Sequence, residues 1–540
     1  MVHRRVHREE IGDRSVSRAT RLSEERRTAT RLRCGVLFFI SFVLLICGAC
    51  RTPAASARPR KETLVIGTPE GSVAGSGFGL QQVARSLALE GLTQLSPDGR
   101  VLPRLADRWV WENSDLRLRV YLHPNVKFHD GTGLTSAVAA DVLRTAIGRP
   151  ANRALYPSLN YVTRVQPAGE LQVTLDLSQP SAFLPEDLEI PLELAASEVG
   201  TGAFKVVGNE ASTVTLERFD GYHEGVPSIQ RVAIRPFGTL RTAWTNLLRG
   251  EVDMATDVPA EAVEFVSNDA VQVVSFERRY QYLIAFNSAK LPFKSAIVRR
   301  ALNAAIDRNA LIASVLQGHG TPSTGPLWPK YWAYDTALPS FGYDPALAVS
   351  LLENAGFKLR ASSSEVGARR SRLHFTCLLP ANFTIMERVA LSIQKQLFNI
   401  GVDMEFQSVP AEQQDARIRD GNFEAVFVDM ISGPTPGRAY IFWRSARQFK
   451  GLNVFGYENR EAERLFNVLR NSTNDAAVRL ATRELQRVFL DDPPAIFLAW
   501  NERARAVRRD FQIPDEPGRD PLLTLWRWKP IGNTQAVSTQ

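Results

Sequence analysis

Cysteine is scarce in this chain and never patterned. Of four residues, Cys34, Cys47 and Cys50 flank or end one apolar run and only Cys377 lies in the body, so no disulfide framework or Cys-based metal site is encoded. The body's histidines are scattered, with His123 and His129 the nearest neighbours and no H-E-x-x-H string, which argues against a catalytic metal. No G-x-S-x-G string and no carboxylate pair at a diagnostic spacing occur, so a hydrolase lacks its sequence marks. A body-wide excess of positive charge is also missing. The net charge is +8, but the first fifty residues hold ten Arg against five acidic residues, and the other 490 carry 55 basic and 52 acidic residues. A nucleic-acid binder concentrates positive charge in its folded part, so nucleic acid is not an expected partner. Neither collagen-like nor low-complexity periodicity is present, which excludes fibrous and wholly disordered classes.

What is present begins with a leader. Residues 34–50, CGVLFFISFVLLICGAC, follow an Arg-rich stretch and precede a Pro/Ala/Ser/Arg linker. Such a run is at the short limit of a membrane span and long enough for the apolar region of an export signal. The small residues Gly48 and Ala49 suit a signal peptidase, and CGAC resembles a bacterial lipoprotein box with Cys50 as the lipidated residue; Cys47 stands where Leu is usual. Residues 1–50 therefore read as a signal peptide, a lipoprotein signal or a retained anchor, and 51–60 as a linker. Each variant exports the body to the periplasm or cell envelope, tethered to the membrane if Cys50 is acylated.

With 540 residues, two or more domains are expected. A first strand is predicted at 63–67, a helix at 80–90 and a half-buried strand at 115–122, with Leu116, Leu118, Val120 and Leu122 on one face. Thr135 is placed to cap a helix over 135–147. Strands are predicted at 171–177, 213–219 and 229–235, and helices at 298–307 and 346–355. Residues 373–379 (strand, holding Cys377), 386–399 (helix) and 402–409 (strand) predict a parallel sheet, and another strand is predicted at 423–430. Trp526 and Trp528 alternate as in a terminal strand. The class is α/β with two lobes, which places a ligand beyond strand ends or between domains. The glycine-rich stretch GSVAGSGFG at 71–79 lacks the G-x-G-x-x-G and P-loop spacings and reads as a flexible cleft loop.

The ordered strings L-x-P-D-G-R at 95–100, VKFHDG at 126–131, GTGAFKV at 200–206, LLRGEVDM at 247–254, the P-F…VRRALNAAIDR block within 285–312 and YDPALAVSLLENAGF at 343–357 resemble family 5 extracellular solute-binding proteins. These form the peptide, dipeptide and nickel class that feeds ABC importers, and the resemblance covers about residues 62–515. It implies a two-lobed venus-flytrap fold of the periplasmic-binding-protein type with an extra subdomain in lobe I. Lobe I would take 61–285, with the subdomain at about 96–198, and 503–530; lobe II would take 286–502, and 531–540 would be a tail. It also implies no cofactor, no catalysis, a monomer, and ABC permease subunits as partners, with a peptide-like or other small organic solute as ligand. An exported hydrolase acting in an interlobe cleft, or an adaptor without transport on the same fold, are the alternatives.

Peptide-binding relatives hold the peptide's α-amino group on the Asp of W-x-A-D-Y-P-D-P. In the matching segment, D-M-I-S-G-P-T-P at 429–436, Met430 stands at the Trp and Gly433 at that Asp, while Asp429 is displaced by four positions. The candidate ligand-binding residues are Phe78 in the first loop, Gly202 in the G-T-G-A-F segment, Asp429, Arg438 as a fork of donors for a carboxylate, and the aromatics Tyr440 and Trp443. His129, Asp130 and Gly131 read as a turn, and Asp307 and Arg308 as the cap and surface of a helix.

Overall fold

The computed structural model describes residues 62–531, apart from 70–78, 195–196, 198, 211–212, 360–370, 382 and 446–452. The leader with Cys50, the linker, Phe78 and residues 532–540 lie outside the described residues.

Strand β1 (Thr63–Pro69) buries Leu64 and Ile66 on alternate positions, and helix α1 (Leu80–Ala88) packs through Ala84, Leu87 and Ala88. Next comes a separate antiparallel sheet of β2 (Ala106–Glu112), β3 (Arg117–Leu122), β4 (Val162–Pro167) and β5 (Gln172–Leu177), in the order β2-β3-β5-β4. Along β3, Leu118, Val120 and Leu122 turn into a core shared with helix α2 (Ser136–Gly148), and Arg117 pairs outward with Asp176 across the ladder. Leu116 departs from the predicted face. It is exposed because positive-φ residues Asn113, Ser114 and Asp115 turn the chain just before the strand starts. Thr135 caps α2 as expected, its side chain accepting from Val138 N.

The large sheet is built from both halves of the chain. Its strands are β6 (Phe204–Glu210), β7 (Thr213–Arg218), β8 (Arg231–Phe237), β9 (Met254–Val258), β10 (Val271–Phe286), β11 (Leu373–Pro380), β12 (Val402–Val409), β13 (Ala425–Ile431) and β14 (Ala495–Arg508), together with β1. The order is β12-β11-β13-β10-β14-β9-β1-β8-β7-β6, and Gly320–Pro322 pairs beside β14, giving eleven described strands. β11 and β12 run parallel with helix α4 (Thr384–Asn399) between them in sequence, as the strand-helix-strand pattern predicted. Helix α3 (Arg308–Ser314) precedes them and helix α5 (Pro436–Trp443) follows β13.

β10 and β14 are the two longest strands, 16 and 14 residues, and they connect the halves of the sheet. Their register passes from Glu277↔Glu502 to Gln281↔Trp500, so residues 278–280 face Asn501 alone. That bulge bends the ladder and re-aims the side chains there.

Two expectations are corrected. Trp526 and Trp528 do not alternate in a strand: Pro521–Arg527 is a 3-10 helix, started by Pro521 and by Asp520 accepting from Leu522 N, and Trp528 is fully buried behind it. Asp307 does cap α3, accepting from Ala310 N at 2.9 Å, but Arg308 is not a surface residue. It is 4% exposed, and its guanidinium donates to the carbonyls of Ser323, Phe497, Asn303 and Ile306 and to Asn303 Oδ1. Burial pulls its pKa down to about 9. Among the described residues, no helix is long and apolar enough to cross a membrane.

Candidate functional site

Where the paired strands β10 and β14 cross from one half of the molecule to the other, four chain segments bring polar side chains together. Asp429, on β13 opposite Tyr282, has both oxygens engaged: Oδ2 lies 3.2 Å from Arg278 Nη1, and Oδ1 accepts from Asn501 Nδ2 at 2.6 Å. Arg503 on β14 donates to Asp257 Oδ2 on β9 at 3.1 Å, and that carboxylate raises the Arg503 pKa in spite of burial. The Arg278 guanidinium lies 4.0 Å over the Tyr280 ring. Burial raises the Tyr280 phenol and pushes Tyr282 up to about 12, so both stay protonated donors at neutral pH.

An aromatic wall adjoins this cluster. Trp500, paired opposite Gln281, meets Trp328 edge to face at 4.7 Å, and Ser323 Oγ donates to Gln281 Oε1 at 2.6 Å. Gly433 rests on the wall: a Cβ there would stand 3.3 Å from Trp500 and 3.4 Å from Trp328. Its N–H and that of Ser432 donate to Arg279 O at 3.1 and 2.8 Å, which ties the end of β13 to the crossing.

The segment after the four-stranded sheet closes against the same place. Glu189 receives Arg279 Nη1 at 3.2 Å and Arg438 Nη2 at 3.3 Å, one oxygen each. Arg438 also donates to Leu155 O and lies 4.9 Å over Tyr156. The L-x-P-D-G-R turn docks nearby, with Pro97 O accepting from Trp328 Nε1, Asp98 O accepting from Trp332 N, and Arg100 stacked 3.6 Å from Trp332.

Residues 100–450 match the family described as bacterial extracellular solute-binding proteins, family 5 middle. The chain belongs to that family. It is 27% identical over 446 residues to the glutathione-binding protein GsiB of Pectobacterium atrosepticum, covering 78% of this chain and 84% of that protein. The structure of the oligopeptide-binding protein AppA of Bacillus subtilis with a nonapeptide superimposes with a TM-score of 0.70 at 21% identity, over 87% of this chain and 99% of that one. NikA of Brucella suis with Fe(III)-EDTA gives 0.75 at 19% identity, over 87% and 100%. The fold is thus the two-lobed periplasmic-binding-protein fold with an extra subdomain in lobe I. The protein is an exported substrate-binding protein of an ABC importer, in a family of binding proteins rather than enzymes.

Of the sequence candidates in this solute-binding protein, Asp429 joins the crossing cluster, and Arg438 is engaged by the subdomain. Tyr440 and Trp443 are core residues, each 1% exposed. The Tyr440 hydroxyl lies 3.3 Å from that of Tyr161, and Trp443 stacks on Phe455 at 5.4 Å. An aromatic on a short helix looks the same in sequence whether it faces a cleft or a core. Gly202 serves packing: a Cβ there would come 2.5 Å from Leu87 O, and its carbonyl bonds His129 Nε2 at 3.0 Å. The turn reading of 129–131 agrees with Gly131 at φ +92° and Thr132 N donating to Asp130 Oδ1. Asp257, Arg278, Gln281, Trp328, Trp500, Asn501 and Arg503 carried no local signal, since segments up to about 250 positions apart supply them. Among the described residues, no group of His, Cys, Asp and Glu could hold a metal ion.

Proposed function

We propose that this solute-binding protein seats a peptide-like or other small organic solute at the crossing of β10 and β14 and delivers it to an ABC permease, acting as a monomer held to the membrane by lipid on Cys50. The observation that carries the reading is the pairing state of the cluster. Asp429 has both oxygens engaged by Arg278 and Asn501, and Gly433 lies against Trp500 and Trp328. When the lobes part, a ligand there meets guanidinium, amide and phenol donors beside Trp500 and Trp328, which are otherwise buried, with no carboxylate at position 433. Such a site suits a ligand held through carbonyl and carboxylate oxygens. The names of relatives support a peptide-like solute: one is a glutathione-binding protein and another was solved with a nonapeptide.

The lobes then divide within the crossing strands, near 278–281 and 500–502, a few residues earlier than expected on the first strand. Phe78 stays in the proposal as a ligand-binding residue, and it lies outside the described residues. Native mass spectrometry of protein purified without refolding identifies the co-purified solute, and the same solute should quench intrinsic Trp fluorescence and be recovered chemically unchanged. Steady conversion of that solute would replace the receptor reading with an enzyme.

A further inference from the structure

Three carboxyl groups in four residues of the subdomain, Glu186, Asp187 and Glu189, meet lobe II at the start of α5. The exchange is reciprocal. From lobe II, Arg438 reaches Glu189 and Leu155 O. From the subdomain, Glu186 lies directly on Gly437, where any side chain would overlap its carboxylate, and the Thr435 side chain hydrogen-bonds it. The first turn of an eight-residue helix, opened by Pro436, therefore receives a buried carboxyl group from the opposite lobe.

The charges at this contact do not balance. Both guanidinium groups that reach it, Arg438 and Arg279, place a nitrogen within 3.3 Å of Glu189. Asp187, 3% exposed, accepts the Ser158 N–H, and Glu186 has Gly437 and Thr435 as neighbours. The other titratable groups facing the pair are the phenols of Tyr156 and Tyr331, both raised by burial and so neutral. Two adjacent buried carboxyls that share one nearby cation, Arg438, itself bonded to Glu189, cannot both stay ionised without a large desolvation cost.

We propose that Glu186 and Arg438 are positioning residues that latch the lobes together beside the ligand seat, and that latching takes up a proton at the Glu186–Asp187 pair. The inference rests on the receptor reading, in which the lobes close on a solute. Burial, with Glu186 and Asp187 each disfavouring the other's charge, raises Glu186 above the usual carboxylate range, and burial pushes Asp187 up to about 7 in spite of Arg438. A raised acid favours the closed state fully below the open-state value of about 4, and that contribution is lost as pH rises to about 7.

The test uses the full chain in lipid nanodiscs without ligand, carrying a fluorescent donor-acceptor pair on azide-bearing residues at Arg164 and Leu480, exposed positions on the subdomain and lobe II. Energy transfer should fall between pH 5 and pH 8, with the closing constant changing by up to about tenfold per pH unit for one proton. Glu186→Gln, a neutral isostere, should stay closed across that range with a flattened profile. Arg438→Gln should be open throughout; if it fails to fold, Glu186→Gln decides. Transfer in the wild type that ignores pH, or a Glu186→Gln profile like the wild type, overturns the latch. A solute found by mass spectrometry in a pH-insensitive protein sinks the latch alone. A latch that titrates in a protein binding no solute sinks the receptor reading alone.

Discussion

Gly433 and Arg308 show how much a single position decides. At Gly433 the Cβ of an ammonium-binding Asp would stand 3.3 Å from Trp500 and 3.4 Å from Trp328, close enough that the rings must shift slightly to admit it. A free peptide amine would meet no carboxylate at that position, and a buried unpaired cation costs roughly several kcal/mol. If a peptide binds, its N-acetylated and free-amine forms should therefore bind within about tenfold of each other by isothermal titration. A stronger preference for the free amine would contradict the proposed seat. Arg308 poses the opposite problem, a buried cation solvated by backbone carbonyls and Asn303 with no carboxylate among its hydrogen-bond partners. Arg308→Met leaves those acceptors unpaired, at about 1–3 kcal/mol each when water cannot reach them. We expect a loss of about 3 kcal/mol or more in urea unfolding.

At the scale of elements, the Gly200–Gly202 segment and α1 act as one unit. Both glycines press on the carbonyls that end α1, and His129 bridges them, with Gly200 N–H donating to Nδ1 at 3.3 Å and Nε2 bonding Gly202 O. With Nδ1 as acceptor, the ring proton sits on Nε2 and donates to Gly202 O. Burial lowers the His129 pKa, so the neutral ring persists towards mildly acidic pH. Gly202→Ala forces backbone against backbone and should cost about 3 kcal/mol. Circular dichroism melts should show that loss, while ligand affinity in the surviving folded protein should change little, because Gly202 packs a helix end away from the crossing cluster. A selective loss of affinity with unchanged melting would return Gly202 to the ligand.

For the whole molecule, one sheet continues through both lobes, so β10 and β14 carry the only described strand pairing between its halves. On the other side of the seat the ties are mixed: Arg100 to Asp475 at 2.9 Å, Arg279 and Arg438 to Glu189, and the Phe183 ring edge to face with Tyr440 at 5.7 Å. The exposed Arg100–Asp475 pair is remade in water at little cost, which suits surfaces that part and meet again, whereas Arg438 is buried against Glu189. Delivery to a permease also needs the receptor kept near the membrane. We expect the mature chain to begin at a lipidated Cys50, read by mass spectrometry of the N-terminal peptide from native membranes. Several acyl chains hold firmly where one is marginal. An unmodified N-terminus beyond Cys50 would remove the lipid anchor and leave export intact.

Sequence alone determined the class, the family, most strands and helices, and the cap at Thr135, because these depend on local periodicity, caps and turn residues that the chain writes in consecutive positions. It also marked position 433 as the departure from peptide-binding relatives, since a missing carboxylate is legible without coordinates. The tertiary structure alone decided which polar groups meet. Asp257, Arg278, Asp429, Asn501 and Arg503 become neighbours only when β9, β10, β13 and β14 are laid side by side, and pairing between distant strands leaves no local trace. It alone turned Tyr440 and Trp443 inward and buried Arg308, because helical spacing specifies a face and the packing partner decides whether that face is core or cleft.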